Sequence, residues 1–235
     1  MFEKISDKNY IKNSIKGFLV ILVYFGFSLF SGALFSLFNV DANNIPLFLK
    51  IIYLLASDIL IAAIIIFIFK DVLINCFNDL KKNHLNYFKK YIKYWFIALA
   101  IMMFSNLIIM LFTNNLPNNE EIIRQSFNKS PFYIFVTAVI LAPIIEELVF
   151  RQAFRNIFTN NVLFVILSGL VFGGLHVFTS YENLTDLLYL IPYSAPGMVF
   201  AYTLVKSKNI FVPMGLHFIH NGLLVSLQFL ILIFG

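Results

Sequence analysis

The sequence predicts an all-α, polytopic transmembrane helical bundle of seven or eight spans. Three observations carry this. The 235 residues are 60% apolar and only 12% charged, with a mean hydropathy of +0.85, whereas a soluble domain is about 25% charged. Several runs reach the roughly 20 apolar residues that cross a bilayer. The 17 Lys and Arg residues fall near the ends of those runs rather than in one patch, as topology signals do. The net charge of +5 and pI of 9.2 therefore speak of membrane orientation and not of nucleic acid.

The first apolar run, 17–39, follows a tail with Lys4, Lys8, Lys12 and Lys16. It is too long for a signal-peptide core and no small-residue cleavage site follows, so it reads as a retained span. The second, 48–69, holds Asp58 in "LLASDILIAA", a charge that either bonds across helices or lines a cavity. Residues 70–93 form a basic loop with Lys70, Lys81, Lys82, Lys89, Lys90 and Lys93. Its stretch "CFNDLKKNHLNYFKKYIK" spaces apolar and aromatic residues helically among lysines, the pattern of an amphipathic helix on a membrane surface. Cys76, the single cysteine, leaves no internal disulfide to form. The third span is 94–113. A polar stretch, "TNNLPNNEEIIRQSFNKS", leads to the fourth at 131–158. Spans at 162–179, 185–205 and 210–234 complete seven; a break between Pro213 and Gly222 would make eight. In the sixth, "IPYSAPGMVF" carries Pro192, Pro196 and Gly197. Such breakers are tolerated where protein or water satisfies the freed backbone, and a bend around a groove is their functional reading.

With the N-terminus inside, 14 of the Lys and Arg residues lie on inner segments, and only Lys50, Arg124 and Lys129 on outer ones. This asymmetry sets the N-terminus in the cytosol. Three regions follow: 1–130, the first three spans and the basic loop; 131–225, a four-helix unit that holds every motif discussed next; and 226–235, the end of the last span.

Chemistry concentrates in that four-helix unit. "LAPIIEELVFRQAF" puts Glu146, Glu147 and Arg151 inside an apolar helix. A charge at the bilayer centre costs roughly 2.5–3.5 kcal/mol on insertion scales, so these groups must pair or reach water. Glu147 and Arg151 are at i, i+4 and share a face. Glu146 is turned about 100° away and has no such partner. The next span carries Phe172 and His176 at i, i+4 in "VFGGLHVF", with Gly173 and Gly174 allowing close helix approach. The last carries His217, His220 and Asn221 in "GLHFIHNGL". Bland readings exist for each: solvated charges at a helix end, a satisfied core histidine, interhelical hydrogen bonds.

Geometry favours a shared site. If 131–158 and 162–179 form a hairpin turning at 159–161, Glu146 and His176 both lie roughly 20–24 Å from the turn, at one depth below the cytosolic surface. His217 starts from the same side, close to Lys206 and Lys208. A carboxylate beside an imidazole can hold and deprotonate water, and an imidazole with an amide can donate to an oxyanion. Alternatively Glu146, His176 and His217 bind Zn²⁺ with one open position, although the H-E-x-x-H helix of soluble metalloproteases is missing.

The set E-E-x-x-x-R (Glu146, Glu147, Arg151), F-x-x-x-H (Phe172, His176) and H-x-x-x-N (His217, Asn221) resembles the CAAX protease and bacteriocin-processing (Abi) family of intramembrane proteases, in order and spacing. The resemblance covers about 131–225. It implies Glu146 as general base on water, His176 helping to position that water, His217 and Asn221 near the oxyanion, and Glu147, Arg151 and Phe172 in support. It implies either a metalloprotease or a metal-free, glutamate-dependent enzyme. His220 is extra to the pattern. The expected partners are membrane lipid and a peptide or protein substrate: a peptide-pheromone or bacteriocin precursor, or a lipid-anchored protein. The bias toward Asn, Lys, Ile and Phe suggests an AT-rich bacterial genome, which disfavours prenylated substrates. The expected location is the cell membrane, with the site opening toward the cytosol. Two other readings stay open: a non-catalytic immunity or scaffold protein of the same family, and a transporter with a protonatable site.

Overall fold

The computed structural model describes residues 7–37, 44–113 and 117–234. Lys4, the end of the first expected span at 38–39, the start of the polar stretch at 114–116 and Gly235 lie outside the described residues. Every regular element is a helix: α1 (Asp7–Leu37), α2 (Leu47–Ile68), α3 (Lys70–Thr113), α4 (Asn118–Lys129), α5 (131–157), α6 (Asn161–Phe178), α7 (Leu190–Ser207, entered through a 3₁₀ turn at Leu184–Tyr189) and α8 (Phe211–Phe234). Seven helices are long and apolar enough to cross a membrane, and α4 is the short polar exception. The chain is an integral membrane helical bundle.

Two expectations are refined. The basic segment 70–93 is helical, but it runs without a break into the third span. At 44 residues, α3 is about 66 Å long, roughly twice the hydrocarbon thickness, so its lysine-rich half projects beyond the apolar layer. That half carries a polar anchor. The Asn209 amide donates to the Cys76 carbonyl at 2.8 Å and to Asp79 at 2.7 Å. Asp79 also accepts from Asn83 and Tyr87. The anchor fixes the α7–α8 turn, where Lys208 adopts a left-handed φ of 56°, and with it the start of α8. The last apolar run is one continuous helix. Pro213 falls in its first turn, where backbone N–H groups have no intrahelical partner and a proline costs little. The spans therefore number seven among the described residues.

The tightest helix pair is α6 against α7. Gly169 and Gly173 lie one turn apart on α6. A Cβ on Gly173 would stand 2.7 Å from the Ser194 nitrogen, and one on Gly169 would stand 2.8 Å from that of Met198. A Cβ on Gly197 would meet the Gly169 Cα at 3.1 Å. Small residues let these backbones touch, the usual route to helix association in lipid. The chain stays helical through Pro196. The breakers of "IPYSAPGMVF" thus sit at a backbone-to-backbone contact.

Helix α5 lies at the centre. All seven residues from Glu147 to Ala153 are buried, against Val20 of α1, Ile65 of α2, Phe164 and Phe172 of α6, Ala201 and Leu204 of α7 and Met214 of α8. It is not a uniform α-helix. Two π-helical stretches, Phe135–Leu141 and Glu147–Ala153, flank one α-helical turn, Ala142–Glu146. Pro143 has no N–H to continue the ladder, and the wider π turns appear on either side. Such π segments concentrate at functional sites.

Candidate active site

The second π stretch presents Glu147 and Arg151. Arg151 Nε lies 3.2 Å from Glu147 Oε2, and both side chains are 0% exposed. The guanidinium carbon also lies 4.6 Å from the Phe172 ring centre and 5.9 Å from that of Phe200. A buried charge is costly unless compensated; one carboxylate and two aromatic faces lie against this one, while its three nitrogens find no hydrogen-bond partner among the described residues.

The other oxygen of Glu147 reaches α8. His217 Nδ1 lies 2.9 Å from Glu147 Oε1. A carboxylate accepts, so Nδ1 carries the proton. The ring plane is fixed as well: it stacks on Phe200 at 5.0 Å and 30°, and meets Phe172 edge-on at 5.8 Å and 80°. His217 Nε2 then faces Glu146 Oε2 at 3.7 Å. This is too long for a hydrogen bond. It does allow both atoms to sit about 2.8 Å from one water oxygen. Glu146 is 19% exposed against 0% for Glu147, so Glu146 is the carboxylate that a molecule outside the packed core can reach.

His176 stands apart from that pair. It lies in the last turn of α6, at the end away from the 159–161 turn. Its Nδ1 is 3.0 Å from the Phe172 carbonyl, and its ring stacks on Tyr193 at 5.2 Å and 24°. Phe172 bridges the two histidines: its ring is 4.6 Å from His176 and 5.8 Å from His217. The contacts of His176 are thus with Phe172 and Tyr193. His176 also lines a cavity of about 10 Å³ with Pro117, Asn118, Asn119, Ser180 and Asp186, room for about one water. Asn221 donates its amide N–H to the Ala138 carbonyl at 2.7 Å. His220 is buried, edge-on to Phe200, and its Nδ1 has no hydrogen-bond partner among the described residues.

Residues 128–223 match the profile of the family described as "Type II CAAX prenyl endopeptidase Rce1-like". This stretch is similar to the family's domain. The "Membrane-embedded CAAX protease MroQ" of Staphylococcus aureus is 30% identical over 123 residues, covering 48% of this chain and 46% of that protein. Two Bacillus subtilis proteins also align: YdiL, 30% identical over 113 residues (47% of this chain, 43% of YdiL), and YyaK, 33% over 105 residues (41% and 35%). The chain spans less than half the length of each of these relatives. No solved structure matches.

The matched stretch contains all seven motif residues. The structure joins Glu146, Glu147, Arg151, Phe172 and His217, ties His176 to them through Phe172, and engages Asn221 with the backbone of α5. Glu146, His176 and His217 do not converge as a metal-ligand set, because His176 is held at Phe172 and Tyr193. Among the described residues no three His, Cys, Asp or Glu side chains do. The donor set does not fit Zn²⁺, and no step below uses a metal.

Helices outside the matched stretch reach the site too. Tyr24 of α1 packs edge-on against Phe150 at 5.5 Å and lies within electrostatic reach of Glu146 and of Asp58 on α2. Sequence reasoning missed Tyr24, Tyr193 and Phe200. Tyr193 and Phe200 stand seven residues apart, two helical turns, in the stretch noted only for its prolines. That spacing was the available signal.

Proposed function

We propose that this chain is an intramembrane endopeptidase whose catalytic core lies within 131–225. The observation that carries this reading is the asymmetry of the two adjacent carboxylates. Glu147 is sealed against Arg151 and His217, while Glu146 is partly exposed and faces His217 Nε2. In this reading Glu146 and His217 hold a water between them. Glu146 takes its proton as the oxygen attacks a peptide carbonyl, and returns that proton to the leaving amine. His217, its Nδ1–H held by Glu147, turns the Nε2 lone pair to the same water and accepts that water's other O–H, which aims the oxygen at the carbonyl. His176, at the rim, orients water or the peptide backbone.

Substrates are membrane-associated peptides or proteins: a pheromone or bacteriocin precursor, or a lipid-anchored protein. The test compares peptides and protein termini from cells expressing the wild type, Glu146→Ala or no copy. Cleavage products found only with the wild type are expected. Matching profiles, with Glu146→Ala restoring the deletion phenotype, would instead establish the non-catalytic immunity or scaffold role.

The cavity beside His176 also bears on the side of approach. It is bounded by the start of α4 and by Ser180 and Asp186, at the opposite end of α6 from the turn that Arg155 caps. With the N-terminus inside, that end is extracytosolic. This favours approach from outside over the cytosolic opening expected from the sequence. Asn119→Cys, in a Cys76→Ser background, is expected to react with a membrane-impermeant thiol reagent in intact cells. Labelling only after permeabilisation would restore the cytosolic opening.

A further inference from the structure

Asn221 occupies a position that the break in α5 explains. In the first π stretch the Ala142 N–H pairs with the Thr137 carbonyl, five residues back. The next donor in that register would be residue 143, and its acceptor would be the Ala138 carbonyl. Residue 143 is a proline and has no N–H to give. The carbonyl that loses its partner is the one Asn221 satisfies, at 2.7 Å, from a helix 83 residues away in sequence. In an apolar surrounding an unpaired carbonyl is strongly unfavourable. His217 lies one turn before Asn221 on α8 and holds Glu147 at 2.9 Å. The two α8 contacts therefore grip α5 on either side of Pro143. Glu146 sits on the single α-helical turn between them.

We infer that His217 and Asn221 form a two-point clamp of α8 on α5, in which Asn221 replaces the N–H missing at Pro143 and thereby fixes the turn that aims Glu146. Asn221 is then a positioning residue. One of its amide N–H groups is committed to the Ala138 carbonyl. The clamp itself stands on the fold; its catalytic consequence rests on the endopeptidase reading above.

The experiment is a cycle of four proteins purified in detergent: wild type, Asn221→Ala, Pro143→Ala and the double variant. Pro143→Ala restores the N–H, so Ala138 no longer needs Asn221. In the wild-type background, Asn221→Ala is expected to lower the melting temperature by roughly 2–4 °C and to reduce kcat at unchanged KM. In the Pro143→Ala background both effects should shrink by more than half. Equal losses in the two backgrounds would overturn the clamp. So would an unchanged melting temperature with a collapsed kcat, which would place the amide on the oxyanion. Should Pro143→Ala fail to fold, Asn221→Asp decides. It keeps the shape but turns oxygens toward the Ala138 carbonyl, so it should destabilise at least as much as Asn221→Ala; an unchanged melting temperature rejects the clamp. If no variant, wild type included, cleaves peptides, the endopeptidase reading fails while the melting temperatures still judge the clamp.

Discussion

Glu146→Gln is expected to lower peptide cleavage by about 10²–10⁴-fold, the range of a lost general base, and to leave the melting temperature within about 2 °C of wild type. The substitution keeps the shape and removes only the charge. Glu146 has a partly exposed carboxylate and stands 3.7 Å from His217, beyond hydrogen-bond reach, so the packing does not depend on its ionisation. Glu147→Gln, one residue on, should behave in the opposite order. It withdraws the counter-charge from a guanidinium that is 0% exposed and weakens the acceptor that holds His217 Nδ1–H. Its stability should fall first, and activity with it. Purified proteins assayed for both quantities check the pair. A Glu147→Gln protein that melts normally but cannot cleave, beside an active Glu146→Gln, would exchange the two roles.

Much of this arrangement is legible in the sequence because charges in oily helices are expensive. Glu146, Glu147, Arg151, His176 and His217 are conspicuous against their neighbours, and i, i+4 spacing alone pairs Glu147 with Arg151. The seven spans follow from the same contrast. What stays hidden has physical causes. Lipid and protein interior are equally apolar, so a span's outward and inward faces read alike. The spacing of Tyr193 and Phe200 puts them on one face, but nothing in the sequence aims that face at the histidines. The hairpin estimate assumed an even 1.5 Å rise. It could not register the π stretches around Pro143, whose cause is one missing N–H among otherwise ordinary residues. Asn221 illustrates the limit. Its place in H-x-x-x-N marks it as functional, but its acceptor is a backbone carbonyl, and backbone atoms leave no residue-type signal. The length of α3 was missed for another reason: lysine-rich and apolar halves look like loop and span, although nothing between them, neither Pro nor Gly, ends a helix.

Arg151→Ala should be the most destabilising single change in the site, at about 3–5 kcal/mol, because it leaves the buried Glu147 carboxylate without its cation. Arg151→Lys should recover only part of this. An ammonium lacks the flat guanidinium face that Phe172 covers at 4.6 Å. The informative variant removes both charges. Glu147→Leu with Arg151→Met fills the same space without ions, and such replacements of buried pairs are often neutral or stabilising. Its melting temperature should therefore return toward wild type, above that of Arg151→Ala. Its activity should not return. With Leu at 147, nothing accepts from His217 Nδ1, the imidazole loses its fixed tautomer, and cleavage should stay at least about 100-fold down. Stability and activity would then separate in one protein. That separation would show that the ion pair is kept for the orientation of His217, since the fold can be held without it. A double variant that cleaves at the wild-type rate would sink this account of His217. A double variant no more stable than Arg151→Ala would show that the stability resides in the aromatic stack of Phe172 on the guanidinium, and not in the pairing with Glu147.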